Sequence, residues 1–195
     1  MARFGKTETN GGKGFGDASR ASLIPAGPSK NNLEWHNCLI AHVKTDDETH
    51  EDKPRYALIF GIVDPGGDLH GAGWWEDFLL TDRALGRLGR LAKVTGTAKG
   101  NPDTEEWEMN PIDLLGRPVK VGVYTDEYNG KSRVAAGFLA FEPWEPEGDW
   151  LESVKQEQAG LAPKIEKLRA EYDGGEALAE VGASTTEGDE EEMPF

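Results

Sequence analysis

Alternating hydrophobic and polar residues predict five strands interrupted by one helix. The predicted strands lie at about 33–44, 55–62, 72–80, 119–124 and 133–138. Thr81 or Asp82 can cap the helix, and Gly96 is placed to end it. The predicted order of elements is therefore β-β-β-α-β-β.

The same alternation predicts which side chains point into the core. In the first strand one face carries Trp35, Asn37, Leu39, Ala41 and Val43. In the fourth and fifth strands the expected inward residues are Val119, Val121, Val123, Val134, Ala136 and Phe138. Residues between them should face outward.

The adjacent pair Trp74 and Trp75 must face opposite sides of its strand. Because Phe78 and Leu80 share the parity of Trp74, we expect Trp74 to be buried and Trp75 to be exposed. An exposed ring can stack on a nucleobase. The alternative is that Trp75 packs under the helix or the N-terminal segment, since large aromatic residues are usually well buried.

The element order is that of the OB-fold, a five-stranded Greek-key barrel that binds oligonucleotides and oligosaccharides on its second and third strands. We therefore expect an all-β barrel with one helix over residues 33–141. Single-strand binding proteins are a standard example of oligonucleotide binding by this fold. The fold class thus points to single-stranded nucleic acid as a ligand.

Outward positions on the predicted strands supply a candidate surface for that ligand. Tyr128 adds an aromatic ring beside the hairpin signal Asn129-Gly130. The candidate residues are Arg55, Trp75, Lys120, Tyr124, Tyr128, Lys131 and Arg133. The arginines at 83, 87 and 90 could touch phosphate, but such a row is more often the solvated side of a helix.

The two ends of the chain differ in composition from the middle. Residues 1–32 are rich in Gly, Ser and Asn and carry five bases, which predicts a flexible basic arm. Residues 142–195 hold 16 acids against 4 bases, with a short amphipathic helix predicted at 161–172. This segment is interpreted as an acidic tail.

The formal net charge of -15 argues at first against a nucleic-acid partner. Most of the excess lies in the tail, but residues 33–141 still carry 18 acids against 12 bases. A binding face must therefore arise from local sorting of charge on the surface.

The C-terminal tip combines an acidic run with an apolar end. It consists of Asp189, Glu190, Glu191, Glu192, Met193, Pro194 and Phe195. A terminal aromatic ring and carboxylate suit capture in an apolar pocket with a basic rim. The alternative is an acidic tail that only keeps the chain soluble.

This ending resembles the tip of bacterial and phage single-stranded DNA-binding proteins, where an acidic run closes in an apolar residue and Pro-Phe. The resemblance covers seven residues, and Glu replaces most of the family's Asp. It implies that the tip recruits replication, recombination and repair proteins and competes with DNA for the binding groove. Removal of the tail is then expected to tighten DNA binding at low salt.

The sequence predicts neither a metal site nor a catalytic site. His36, Cys38 and His42 alternate along one strand without paired zinc-ligand spacing, and the lone cysteine excludes an intrachain disulfide. No nucleophile elbow or Walker sequence is present. We expect no cofactor and no enzyme activity, and a soluble protein of the cytoplasm, the host's if the chain is phage-encoded.

The resulting hypothesis is a protein that binds and protects single-stranded DNA in phage replication or recombination. Two alternatives stay open, namely a mediator or adaptor that binds partners more than DNA, and a metal-dependent nuclease. A homo-oligomer is also compatible with the sequence, whereas the tetramer of bacterial relatives does not carry over.

Overall fold

The computed structural model describes residues 14–50, 53–103 and 106–173 of the chain. Two long helices and seven strands make up its regular structure, with short 3-10 turns at Ala18–Leu23 and Pro111–Leu114. The strands are β1 (Glu34–His50), β2 (Lys53–Ile62), β3 (Gly73–Leu79), β4 (Lys99–Gly100), β5 (Trp107–Glu108), β6 (Pro118–Tyr128) and β7 (Lys131–Glu142). The helices are α1 (Asp82–Thr95) and α2 (Gly148–Asp173).

Five strands form one antiparallel sheet in the order β3-β2-β1-β6-β7, and β4 pairs only with β5. The five predicted strands and the helix between the third and fourth of them are confirmed. The predicted closed barrel is not, because the described residues contain no backbone ladder between the edge strands β3 and β7. The sequence predicted one main helix, whereas the structure has a second long helix, α2, of 26 residues.

The core lies on one face of this sheet and follows the predicted alternation in β2, β3 and β6. Val119, Val121 and Val123 are fully buried, as predicted. Trp74 is also buried, whereas Trp75 is 41% exposed, so the predicted division of the tryptophan pair is confirmed. Cys38 lies in the same core cluster, and burial raises the pKa of its thiol.

The predicted parity of β1 is wrong, because a bulge divides this strand. Before the bulge Cys38 and Ile40 face the core, and Leu39 faces the opposite side with Val154 of α2. The pairing with β2 shifts between Ile40 and His42. The extra residue returns Val43 to the core.

A second bulge corrects the prediction for β7. Val123 pairs with Ala136, yet Val121 pairs with Phe141, so residues 137–140 bulge out of the ladder. Phe138, predicted to point inward, is 56% exposed, and Phe141 fills the core instead. We call residues 137–140 the β7 bulge.

Side chains bridge the gap between β3 and β7. A carboxylate oxygen of Glu76 accepts a hydrogen bond from the Ala136 backbone N–H at 2.8 Å. Arg87 of α1 donates to the Glu76 carboxylate and to the carbonyl oxygens of Asp77 and Ala136. The two edges are therefore held close together without strand pairing, and we call this junction the β3–β7 seam.

The chain before β1 packs on the sheet, which differs from the flexible arm expected over residues 1–32. Ile24 is buried in the core, and the Asp17 N–H donates to the carbonyl oxygen of Gly71 at 2.8 Å. The Phe15 ring covers Gly61 so closely that a Cβ at Gly61 would come within 2.5 Å of it. Residues 1–13 lie outside the described residues.

The helix α2 begins earlier than predicted and packs on the outer side of β1. Its Val154 and Leu161 are buried, and Gln158 donates to the carbonyl oxygen of Gly116 at 2.8 Å. The first part of the segment interpreted as an acidic tail thus contributes to the folded unit. The predicted tail beyond residue 173 lies outside the described residues.

Candidate nucleic-acid interface

The outward side chains of β1, β2 and β3 form the first candidate surface, which we call the β2–β3 face. Strand register places its residues in rows across three strands. The first row is His42, Ile59 and Trp75, the second is Lys44, Ala57 and Asp77, and the third includes Arg55 and Leu79. Aromatic, aliphatic and basic side chains therefore lie beside one another.

Trp75 is the aromatic residue of this face. The His42 ring meets it edge-on, with ring centroids 5.3 Å apart and planes at 85°. This contact holds the indole from one side and still leaves 41% of the residue exposed. An exposed, laterally supported ring is suited to stacking on a planar ligand.

His42 contributes a neutral edge rather than a charge at neutral pH. Burial lowers the pKa of its imidazole, and the nearby Lys164 and Lys44 lower it further, to about 4. The positive potential that disfavours the imidazolium is the same potential that attracts an anion. Cationic charge in the first two rows therefore comes from the lysines.

Lys164 reaches this face from α2. Its ammonium donates to the carbonyl oxygen of Ala41 at 3.0 Å, directly before His42 in the chain. Burial lowers the pKa of Lys164 from its ordinary value. Among the residues whose side chains are described, no carboxylate lies within ion-pair distance of Lys164.

Sequence reasoning found Arg55 and Trp75 on this face but missed His42, Lys44 and Lys164. The predicted alternation already gave His42 and Lys44 outward positions, but no sequence pattern placed them near Trp75. Lys164 belongs to a helix far along the chain, in the segment interpreted as a tail. Only tertiary packing brings it beside Trp75.

Arg55 lies at the far end of the same face with a carboxylate neighbour. Its guanidinium is 3.9 Å from the Asp77 carboxylate, and the Arg55 side chain is 19% exposed. The separation is at the long end of the range for an ion pair. Arg55 is therefore a cation at the margin of the face, partly compensated by Asp77.

The remaining predicted residues lie on β6 and β7, along a surface that we call the β6–β7 stripe. It includes Lys120, Tyr124, Tyr128, Lys131 and Arg133. Strand β1 lies between this stripe and β2 in the sheet order. The seven predicted residues are thus divided between two surfaces, instead of sharing the one surface expected.

Lys120 and Arg133 of the β6–β7 stripe have partners within the protein, whereas no carboxylate with a described side chain lies within ion-pair distance of the exposed Lys131. Lys120 is 3.6 Å from the Glu142 carboxylate and 5.4 Å above the Trp35 ring. Arg133 donates to Asp126 at 2.8 Å and lies 4.9 Å from the centre of the Tyr128 ring. A nucleic acid would have to compete with these contacts for both cations and for the Tyr128 ring.

The Tyr124 ring in the middle of this stripe also has a cation near it. The Lys30 ammonium lies 5.9 Å from the ring centre. Tyr124 also bridges to Gly27, so the segment before β1 runs along this part of β6. Tyr124 is therefore less accessible than the alternation indicated.

The helix arginines have a role that the sequence interpretation did not predict. Arg87 binds the seam, and Arg90 donates from Nε to the carbonyl oxygen of Phe141 at 3.1 Å. They are not simply the solvated side of α1, since both contact the β7 backbone. The side chain of Arg83 lies outside the described residues.

Other kinds of site find no support in the described parts of the chain. No group of three or more His, Cys, Asp or Glu side chains there is placed to hold a metal ion. None of the helices described is both long and apolar enough to cross a membrane. The tip residues 189–195 lie beyond the described residues.

No protein-family model matches the chain, and no curated protein sequence matches it.

Proposed function

We propose that this chain binds single-stranded DNA without sequence preference on the β2–β3 face, and that it protects such DNA during replication or recombination. The observation that carries the proposal is the exposed Trp75 ring, whose neighbour His42 lies close to the cationic side chains of Lys44 and Lys164. A ring and cations together can bind the two parts common to every nucleotide, the base and the phosphate.

The topology supports an OB-type barrel as the scaffold of this function. The sheet order β3-β2-β1-β6-β7, with α1 between the third and fourth long strands, matches an OB barrel in which one pair of edge strands is not hydrogen-bonded. The β3–β7 seam brings those two edges together through Glu76 and Arg87. In this fold the second and third strands bind oligonucleotides, and here they carry Trp75 and Arg55.

Two physical terms would supply the affinity. Stacking of one base on Trp75 contributes about 1 to 3 kcal/mol, independent of base identity. Phosphate contacts by Lys44, Lys164 and Arg55 release counterions, so affinity falls as salt rises. Because these cations lie on one face, the binding surface can be locally positive on a chain whose net charge is -15.

The acidic tip adds a recruiting function to the proposal. Its resemblance to the ending of single-stranded DNA-binding proteins favours capture of replication and recombination proteins by Phe195 and the preceding acids. The apolar end would fill a pocket, and the acids would raise the encounter rate with a basic rim.

Titration of full-length protein with oligo-dT tests the binding function. Tryptophan fluorescence should be quenched at low salt and much less at high salt, and duplex DNA of equal length should bind more weakly. In Trp75→Phe most of the quenching should disappear while measurable binding remains. The matched control is Trp144→Phe. Trp144 packs edge-on against Trp150 at the start of α2, and the fluorescence of this variant should be quenched like that of the native protein.

Two results would replace the proposal by another function. Absence of binding at low salt, measured by fluorescence and by anisotropy of a labelled strand, would favour the adaptor. Mg²⁺-dependent cleavage of the oligonucleotide on a gel would favour the nuclease.

A further inference from the structure

The β7 bulge exposes two large apolar side chains that the β2–β3 face does not include. Phe138 is 56% exposed and Leu139 is 57% exposed. Exposed neighbours of this size are unusual on a surface that has no ligand. The sequence alternation assigned Phe138 to the core, so this protrusion is a feature of the folded chain alone.

Both ends of the bulge are anchored to the rest of the fold. Ala136 is held through its N–H by Glu76 and through its carbonyl oxygen by Arg87. Phe141 is buried in the core, and its carbonyl oxygen accepts from Arg90. The protrusion between them is thus presented in a fixed place, which lowers the entropy cost of binding a ligand.

The bulge lies on the same side of the molecule as the end of β3. Every neighbouring pair in the order β3-β2-β1-β6-β7 is antiparallel, so β3 and β7 run in the same direction. The hydrogen bond between Glu76 and Ala136 sets them level. Beyond this bond β3 continues to Leu79, and β7 enters the bulge, where residues 137–140 lie opposite the single β6 residue Gly122.

Exposed apolar side chains are therefore concentrated on the two edge strands that meet at the β3–β7 seam, and we call this set the apolar strip. Seven large hydrophobic residues are exposed in the described parts of the chain, and four of them lie on these two edge strands. They are Trp75, Leu79, Phe138 and Leu139. The strip begins at the ring proposed to stack on a base.

A cation accompanies the strip. The Arg90 guanidinium binds the Phe141 carbonyl oxygen through Nε alone, which leaves its two terminal nitrogens for another acceptor. No carboxylate with a described side chain lies within ion-pair distance of Arg90. An apolar surface with an adjoining arginine matches a base and its phosphate.

We propose that the β7 bulge is a second base-contact site. Phe138 and Leu139 pack there against bases of the same DNA strand that stacks on Trp75. Arg90, which holds the Phe141 carbonyl oxygen at the end of the bulge, takes a phosphate beside this second site. This inference rests on the proposed binding function and extends its path from the β2–β3 face across the seam. Continuity with Trp75 and the charge of Arg90 favour a nucleic-acid strand over a second copy of the chain as the occupant.

A length series of dT oligonucleotides tests the inference with the full chain. In the native protein, affinity should rise with length until the strand spans both sites. The double variant Phe138→Ala/Leu139→Ala should bind the shortest strands normally and bind the long strands at least about fivefold more weakly. Leu151→Ala, an exposed leucine on α2, is the control and should bind every length normally.

The outcomes separate this inference from the function on which it rests. If the native protein binds no strand at low salt, the binding function itself fails and this site falls with it. If the native protein binds and Trp75→Ala weakens it, but the double variant matches the native protein at every length, the bulge inference alone is overturned. A native dimer that the double variant dissociates, seen by sedimentation without DNA, would overturn it in favour of self-association.

Discussion

The β2–β3 face and the β6–β7 stripe carry similar residue types but use them differently. On the stripe, Lys120 and Arg133 each have a carboxylate partner and each lie over a ring of the same chain. On the β2–β3 face, Trp75 has the neutral edge of His42 as its ring partner, and Lys164 has a backbone carbonyl as its hydrogen-bond acceptor. Residue type alone does not distinguish the two surfaces.

The difference lies in what a ligand would have to displace. A phosphate approaching Arg133 competes with Asp126, and a base approaching Tyr128 competes with Arg133. A phosphate approaching Lys164 competes with the neutral Ala41 carbonyl oxygen, and a base approaching Trp75 meets a ring whose partner is the neutral His42 edge. We therefore propose the β2–β3 face as the binding surface, although five of the seven residues predicted from the sequence lie on the β6–β7 stripe.

The largest expected difference is between the two exposed rings. Trp75→Ala should weaken oligo-dT binding by roughly 5- to 150-fold, because one stacked base contributes about 1 to 3 kcal/mol. Tyr128→Ala should change it less than about threefold, although Tyr128 is the more exposed residue, at 58%. Anisotropy titrations of a labelled strand measure both. A larger effect at Tyr128 would reverse the assignment of the two surfaces.

A smaller difference is expected between two lysines. Lys164→Gln keeps a donor for the Ala41 carbonyl and removes the charge, so the slope of log affinity against log salt should decrease by about 1. Lys120→Gln should leave that slope unchanged, since Lys120 already faces Glu142. Titrations at four or more salt concentrations give the slopes. Equal slopes for both variants would contradict the comparison.

The smallest effect concerns stability at acid pH. The folded protein lowers the pKa of His42 to about 4 from an ordinary 6.5, so the unfolded chain binds the proton first as pH falls. The free energy of unfolding should therefore decrease between about pH 6.5 and 4. His42→Gln should remove this part of the decrease. Urea unfolding at several pH values measures it, and an unchanged pH dependence in the variant would count against it.

Much of the sheet could be predicted because local alternation is strong in β2, β3 and β6. The inward valines of β6 and the division of Trp74 from Trp75 follow directly from a period of two residues. The helix between the third and fourth long strands follows from its cap and apolar stripe. These features need only local sequence, and the structure confirms them.

The candidate site was harder to predict because it depends on two irregularities and one distant contact. The bulge in β1 puts Cys38 and Ile40 in the core in place of Leu39, and the bulge in β7 exchanges Phe138 for Phe141. One inserted residue reverses every later side chain, yet leaves the hydrophobic pattern almost unchanged. Lys164 joins the face through packing of α2, which no short sequence pattern encodes.

The burial of Cys38 makes the chain convenient to label. Its thiol is inaccessible, and burial raises its pKa, so alkylating reagents at neutral pH should leave the native protein unmodified. A cysteine introduced at Lys44 or Phe138 would then be the only reactive sulfur in the molecule. A dye attached there would report the passage of a bound strand over one chosen point, against a silent background.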